Sequence, residues 1–426
     1  SKSVKVTKKE ALNIITNENV SAALTKDKGN DVKLLSYEVE DFTKPGDNYA
    51  GVVTRVYVTY THGGTTDKVS YIVKVNPKRN MPSYETFLHQ RFLREGHYFT
   101  VFLPEMNQLL EKFNHPALRL SKGYFLSLES CNEILFLEDL RLKGFKMRNR
   151  KIGFDKAHGL LVMNELGRLH AASLLKEKYI GADSFEKYGV LNDYVKELMD
   201  DPKQSVTIKA WFSGQLDTAI KMLEKVPGYS AVVAWLRDLQ PRCLEVYYDL
   251  LQPTDKFRVI IHGDCWSNNI MFRYDEENNP VEAMLVDLQM IKQTSPALDL
   301  HYFLYSSFNG FERVKYFDKF LSAYYNAFSN TLKAGEIDPP FTLKELHEEF
   351  QRTQLFGCLT CLFLVPVVLA DEKDIIDVEK VSEEKLHIYR KERQATLLDM
   401  ASREGSLLKA RFLETFDEML EHGIIS

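Results

Sequence analysis

The sequence predicts an α+β fold of two lobes, a small antiparallel β-sheet with a helix followed by a larger, mainly helical lobe. Three observations carry that expectation. Between residues 33 and 75, three runs rich in β-branched and aromatic residues alternate with polar turns. After Asp139 apolar residues recur at helical spacing, as in Val162, Leu166 and Leu169. One short β-rich island then interrupts the helical half, at 259–261, 270–274 and 283–286. Residues 1–137 would form the first lobe and 138–426 the second, with a cleft between them.

Along the first lobe, Thr7-Lys8-Lys9-Glu10 is a capping box ahead of an apolar run, which places a first helix over about residues 8–24. Strands are expected at 33–40, 52–60 and 68–75, with Gly63-Gly64 in the polar break between the last two. A helical stretch at 83–113 and two strands, 124–128 and 134–137, complete this lobe.

Composition narrows the class of function. The chain has 426 residues, 55 Lys or Arg against 60 Asp or Glu, a formal charge of −5 and 44% hydrophobic residues. That is enough to build a real core, and it excludes disorder, collagen and small disulfide scaffolds. Interspersed charge of both signs lacks the positive field that a nucleic-acid partner requires. Five cysteines, few and odd in number, fit reduced thiols and a cytoplasmic location, and the start SKSVKVTKKEAL has no apolar signal region. The apolar stretch 355–370 is shorter than the roughly 18 residues needed to span a bilayer, so it reads as a buried core helix with no membrane span. Cys358 and Cys361, inside that stretch, read as core thiols and not as a metal site. No obligate protein partner is evident.

The β-rich island holds the strongest chemical signal: His262-Gly263-Asp264-Cys265-Trp266-Ser267-Asn268-Asn269, then Val286-Asp287-Leu288-Gln289. Phosphoryl transfer from ATP needs a carboxylate within reach of the attacking hydroxyl and oxygen ligands for Mg²⁺. In protein kinases these are an Asp, an Asn five positions later, and a second Asp after a short hairpin. Asp264, Asn269 and Asp287 reproduce that spacing, although Asp264 and Asn269 alone would also suit turn capping. Gly263 stands where protein kinases carry Arg, and no Ala-Pro-Glu follows Asp287. Both departures point to a small-molecule phosphotransferase of the aminoglycoside and choline kinase type, which this block resembles. A cation for the nucleotide phosphates is also needed, with an acidic partner on a neighbouring helix. Lys74, alone in the apolar strand Tyr71-Ile72-Val73-Lys74-Val75, fits; Glu95 is its candidate partner and Glu85 the competitor. Asp47, Asn48 and Tyr49, inside the turn from Gly46 to Gly51, would bring backbone amides to a phosphate.

The complete set resembles the insect ecdysteroid kinase-like proteins, of the choline kinase-like group within the protein-kinase-like fold. Gly46-Asp47-Asn48-Tyr49, the Lys74 strand, Glu95 ahead of a Tyr and Pro104, Leu137-Glu138-Asp139-Leu140 and Leu169-His170-Ala171-Ala172-Ser173 occur in that family's order. So do the His262 to Asn269 block, Val286-Asp287-Leu288-Gln289 and Ser295-Pro296-Ala297-Leu298-Asp299-Leu300, across roughly residues 30–400. The resemblance implies Asp264 as catalytic base, Asn269 and Asp287 as Mg²⁺ ligands, and Lys74 with Glu95 as the phosphate anchor. It implies that the 137–140 segment, with Glu138 and Leu140, is the hinge whose backbone meets adenine. Asp299 and His262 are expected to support the catalytic loop, and Trp266 either to stack on substrate or to pack in the core. Gly51 replaces the family's usual Ser, and Leu288 its commoner Phe.

These motifs name the reaction and leave the acceptor open. Eleven aromatic residues fall within 302–328; many of them are core at helical spacing, and the excess is compatible with an apolar pocket for a bulky hydroxyl acceptor, a steroid or a phenol. The leading expectation is an ATP- and Mg²⁺-dependent kinase acting on an apolar alcohol, such as an ecdysteroid or a phenolic or steroidal xenobiotic. A choline or ethanolamine kinase is the alternative, as is a non-catalytic kinase-fold binding protein, which the intact polar set disfavours.

Overall fold

In the computed structural model, which describes residues 12–41, 52–77, 82–374 and 383–426, the strand pattern of the first lobe becomes a five-stranded antiparallel sheet. Its strands are β1 (Val32–Asp41), β2 (Val52–His62), β3 (Thr65–Pro77), β4 (Gly123–Ser127) and β5 (Asn132–Glu138), in the spatial order β1-β2-β3-β5-β4. Gly63 and Gly64 form the β2–β3 turn with φ of 55° and 81°, a left-handed backbone that glycine adopts without strain.

Strand alternation gives the sheet two different faces. Val56, Val58, Tyr71, Val73, Val75, Ile134 and Phe136 point to one side and pack with Val20, Ala23 and Leu24 of α1 (Asn17–Lys28). Leu135 and Leu137 join the main core on the other side, together with Phe99, Phe102 and Met106 of the connecting helices. Lys74 shares this second face.

Among the described residues the first α-helix begins at Asn17, inside the 8–24 span expected to be helical. Thr16, extended at φ −119° and ψ 163°, caps α1 by accepting the Asn19 amide at 3.3 Å, and Leu12–Ile14 is only a 3₁₀ turn. The Thr7 capping box lies outside the described residues. The expected helical stretch at 83–113 is present as α2 (Pro82–His97) and α3 (Leu103–Lys112), joined through one π-turn, Tyr98–Phe102. Pro104 explains the break, because it supplies no amide to the α-helical ladder.

The second lobe is built on the long α4 (Lys156–Tyr179), followed by α5 (Asp183–Lys187), α6 (Tyr194–Asp200), α7 (Pro202–Leu223), α8 (Ser230–Leu239) and α9 (Cys243–Leu250). A β-island follows: β7 (Val259–Ile261), β8 (Ile270–Tyr274), β9 (Pro280–Leu285) and β10 (Lys292–Thr294). β10 pairs with β7, and β8 pairs with both β9 and the two-residue strand β6 (Lys146–Met147). Then come α10 (Pro296–Ser307), α11 (Gly310–Ala334), α12 (Leu343–Arg352), α13 (Gln354–Leu369), α14 (Leu386–Ser402) and α15 (Leu407–Glu421). The architecture is therefore the α+β, two-lobed one that the sequence predicts.

The apolar stretch at 355–370 forms α13, and Cys358 and Cys361 are buried free thiols in it, as expected. Among the described residues no single helix is long and apolar enough to cross a membrane; α12 and α13 pass that test only as a pair bent by 55°.

Candidate active site

Strand and helix bring Lys74 and Glu95 together. In β3 the apolar neighbours Val73 and Val75 turn toward the α1 side, so Lys74 turns toward α2, where Glu95 meets it. The ammonium lies 2.6 Å from Glu95 Oε1 and 3.4 Å from Asp287 Oδ1, with all three side chains largely buried. Glu95, and not Glu85, is the partner. Burial alone would discharge Lys74, but the carboxylates of Asp287 and Glu95 outweigh it and hold the amine protonated. Two carboxylates share one ammonium here. Burial, with the Asp287 charge added to it, pushes Glu95 up although Lys74 and the Leu288 amide oppose the shift.

The loop between β7 and β8 carries Asp264. Asp299, at the start of α10, accepts the backbone amides of His262 at 2.7 Å and Gly263 at 2.9 Å, and His170 of α4 donates to it at 2.7 Å. Burial would raise the Asp299 carboxyl, yet these donors hold it below the usual range. His262 Nε2 donates to the Val286 carbonyl at 2.9 Å, so its Nδ1 is left to accept the Asp264 amide at 3.2 Å. Burial keeps this imidazole neutral by lowering its pKa. Both residues support the loop, as expected. Trp266 is buried in the main apolar core.

Gly263 has φ of 83°, and a Cβ there would sit 2.1 Å from the Met290 carbonyl oxygen. Only glycine fits beneath that backbone.

Both oxygens of Asp264 are engaged. Tyr302 of α10 donates to Oδ1 at 2.6 Å, and Asn269 Nδ2 donates to Oδ2 at 2.9 Å and to the Asp264 carbonyl at 2.8 Å. Burial and the Asp287 charge push the Asp264 carboxyl up to about 7, against the opposing pull of Tyr302, Arg91 and Asn269.

Asn269 and Asp287 close the β8–β9 hairpin, where Ile270 pairs with Leu285 and the Val286 amide donates to the Asn269 carbonyl at 2.9 Å. Asp287 has a left-handed backbone, φ 64°, which a non-glycine residue holds at a cost of about 1 kcal/mol or more and which recurs at functional sites. Its Oδ1 is buried without a hydrogen-bond partner, and Lys74 at 3.4 Å is its cation neighbour. Asn269 points its amide nitrogen at Asp264, so its oxygen remains for another partner. One carboxylate plus one amide oxygen fits Mg²⁺, which takes its other ligands from water and nucleotide phosphates. Among the described residues no cluster of three His, Cys, Asp or Glu is arranged to hold a metal unaided.

The 137–140 segment is built differently from the rest. The Glu138 amide donates to Lys122 O at 2.8 Å, while its carboxylate accepts the Lys122 amide and pairs with Lys143. Asp139 is buried and locked by Ser70 at 2.7 Å and Arg55 at 2.8 Å, and the Leu140 side chain is buried. Asp47, Asn48, Tyr49 and Gly51 lie outside the described residues.

A cavity of about 200 Å³ opens beside Asp264, lined by Tyr247, Leu251, Leu298, Tyr302 and Phe356 together with Arg91 and Lys292. The aromatic run at 302–328 does not build it. Of that run only Tyr302 reaches the cavity; Phe303, Tyr305, Phe308, Phe320, Tyr324 and Phe328 fill the core, and Phe311 is exposed. The helical spacing of these residues on α10 and α11 is the reason, since both helices are packed into the lobe's interior. Motif reasoning missed Tyr302, Arg91, Lys292 and Tyr247, which are single residues from four separate elements.

Comparison with known proteins follows this geometry. Three solved structures are similar at 10% identity: an ethanolamine kinase from Plasmodium vivax (TM-score 0.39, covering 90% of this chain and 84% of that one), a choline kinase from Cryptosporidium parvum (0.44, 96% and 98%) and a choline/ethanolamine kinase family protein from Mesorhizobium loti (0.33, 93% and 98%). No curated protein matches the sequence. The profile of the ecdysteroid kinase-like family matches residues 45–336, a span that includes β2, the Lys74 strand, the Asp264 loop, the Asp287 hairpin and α10. With more than half of its length so matched, the chain belongs to the ecdysteroid kinase-like family of small-molecule kinases.

Proposed function

We propose that the protein transfers the γ-phosphoryl group of ATP, with Mg²⁺, to a hydroxyl of a largely apolar acceptor such as an ecdysteroid or a phenolic or steroidal xenobiotic. The observation that carries this reading is the convergence of Lys74, Glu95, Asp264, Asn269 and Asp287 from four different segments upon one cleft. In it, residues 1–137 form the nucleotide lobe and 138–426 the hinge and acceptor lobe. Free cysteines accord with a cytoplasmic location.

Each side chain then has a task. Lys74, held charged and aimed by Glu95, binds the α- and β-phosphates. Asn269 and Asp287 would hold Mg²⁺, which when bound neutralises the phosphate oxygens and so eases attack. Asp264 takes the proton of the acceptor hydroxyl as its oxygen attacks the γ-phosphorus, and ADP leaves from the opposite side. Tyr302 and Asn269 fix the plane of that carboxylate. With the Glu138 amide already bonded and the Asp139 and Leu140 carbonyls accepting the Leu142 and Phe145 amides, the amides of Asp139 and Leu140 are left for adenine.

Cavity size favours a compact acceptor. A void of about 150 Å³ holds a benzene ring, so about 200 Å³ here suits one substituted ring, or the reacting end of a steroid whose remainder lies outside. Incubation with ATP, Mg²⁺ and a panel of ecdysteroids, phenols and choline, read by the mass of one added phosphate, is the decisive experiment. Phosphorylation of choline alone would overturn the apolar-acceptor reading.

A further inference from the structure

Charge at the cavity wall narrows the acceptor further. Arg91 of α2 and Lys292 of β10 both line the cavity next to Asp264. Arg91 Nε is buried with no hydrogen-bond partner, and its guanidinium lies 4.1 Å from the Phe87 ring of its own helix. Lys292 is set 5.0 Å from the Tyr194 ring, and the groups acting on its charge are Tyr194, Tyr247 and Arg94. Arg94 stands behind them, 5.0 Å from the same ring; its Nε donates to the Gln289 carbonyl, its Nη2 is buried without a partner, and Glu197 is the carboxylate that acts on it.

Among the described residues no carboxylate forms an ion pair with Arg91 or Lys292, although the Asp264 charge acts on Arg91. Asp299 is bonded to His170 and to two backbone amides, and Asp264 to Tyr302 and Asn269. Burial would raise the Tyr194 hydroxyl, but Lys292, Arg94 and Arg91 together pull it below its ordinary value, so the local field is positive. Buried cations with orphaned donors are unfavourable unless an anion completes them. A guanidinium and an ammonium lining one cavity match a carboxylate or similar oxyanion, whereas a quaternary ammonium would be repelled.

We infer that the acceptor is an anionic alcohol, whose apolar body fills the space between Tyr247, Leu298 and Phe356 and whose carboxylate or comparable oxyanion is received by Arg91 and Lys292. This inference rests on the kinase reading and narrows its apolar acceptors to those that also carry an anionic group, in place of a neutral ecdysteroid or phenol. The alternative use of these cations, contact with the γ-phosphate of ATP, is separated by the test.

The protein, with Mg²⁺ and a non-hydrolysable ATP analogue, is titrated calorimetrically with 4-(hydroxymethyl)benzoate, with neutral 4-methylbenzyl alcohol and with choline. The benzoate is expected to bind at least about tenfold more tightly than the neutral alcohol, and choline not to bind. Lys292→Met and Arg91→Met are expected to bring that ratio to within about threefold of one while the Kd of the ATP analogue holds. Equal or absent binding of the benzoate in the wild-type protein overturns the inference and leaves the kinase reading standing, provided the ATP analogue binds. Weaker ATP binding in the two variants with the acceptor ratio intact also overturns it, in favour of the γ-phosphate. Failure of the wild-type protein to bind the ATP analogue overturns both. Should a variant misfold, the wild-type ratio of benzoate to neutral alcohol decides alone.

Discussion

The Tyr302 hydroxyl donates to Asp264 Oδ1 at 2.6 Å, tying the first turns of α10 to the carboxylate at the centre of the cleft. A freely rotating carboxylate would present its lone pairs in many directions. Tyr302 on one oxygen and Asn269 on the other leave one plane for the incoming hydroxyl. Tyr302→Phe is therefore expected to lower kcat about tenfold with the KM for ATP unchanged, measured by ADP release at saturating acceptor. A change confined to the KM for ATP would refute this positioning role.

Asp264→Asn removes the proton acceptor but keeps the shape and both neighbouring contacts possible. Turnover should fall by about a thousandfold while nucleotide affinity persists, as read by single-turnover kinetics beside ATP-analogue titration. An unchanged rate would remove Asp264 as the base.

The shared-charge arrangement at Lys74 makes two substitutions diverge. Lys74→Met strands Glu95 and Asp287 as buried carboxylates without their cation, a change expected to destabilise the fold by about 3 kcal/mol or more in urea unfolding. Asp287→Ala removes one of two carboxylates competing for that ammonium, so the fold should hold while the Mg²⁺ dependence of ATP binding disappears. Equal loss of stability in both variants would contradict this count of charges.

How much was legible in the sequence follows from where each signal resides. Lys74 stood out because a cation inside an alternating apolar strand needs a partner, and the Asp264 to Asn269 spacing is local to one loop. Gly263 was legible as a departure from the protein-kinase pattern, but its cause is steric: the Met290 carbonyl occupies the place of a side chain. Tyr302, 38 residues beyond Asp264, and Arg91, on a different lobe, reach the site only through tertiary packing. The aromatic density at 302–328 misled for the same reason, since an aromatic at helical spacing serves core and pocket alike until the packing partner is known. The expected helix does not extend through 12–16, because Thr16, with no Glu three residues on, gives a weak local start signal in the sequence.

Acid should expose one further buried group. His301 of α10 is fully buried, stacked 3.8 Å from the Phe350 ring, with Nε2 within 2.9 Å of the Phe350 carbonyl and 3.1 Å of the Thr353 hydroxyl. Burial pushes its pKa down to about 3, helped by the nearby Arg313 charge, while the Phe350 carbonyl opposes the shift. In the unfolded chain the same ring titrates near its ordinary value of about 6.5. Between those two values the unfolded state binds the proton and the folded state does not, so stability from this group is complete above about pH 6.5 and declines as the pH falls toward 3. The slope is at most about 1.4 kcal/mol per pH unit. His301→Gln, which has nothing to protonate, should lower stability at pH 7 through lost packing but flatten the acid limb of a plot of urea midpoint against pH. An acid limb with the same slope in both proteins would show that His301 is not among the groups driving acid unfolding.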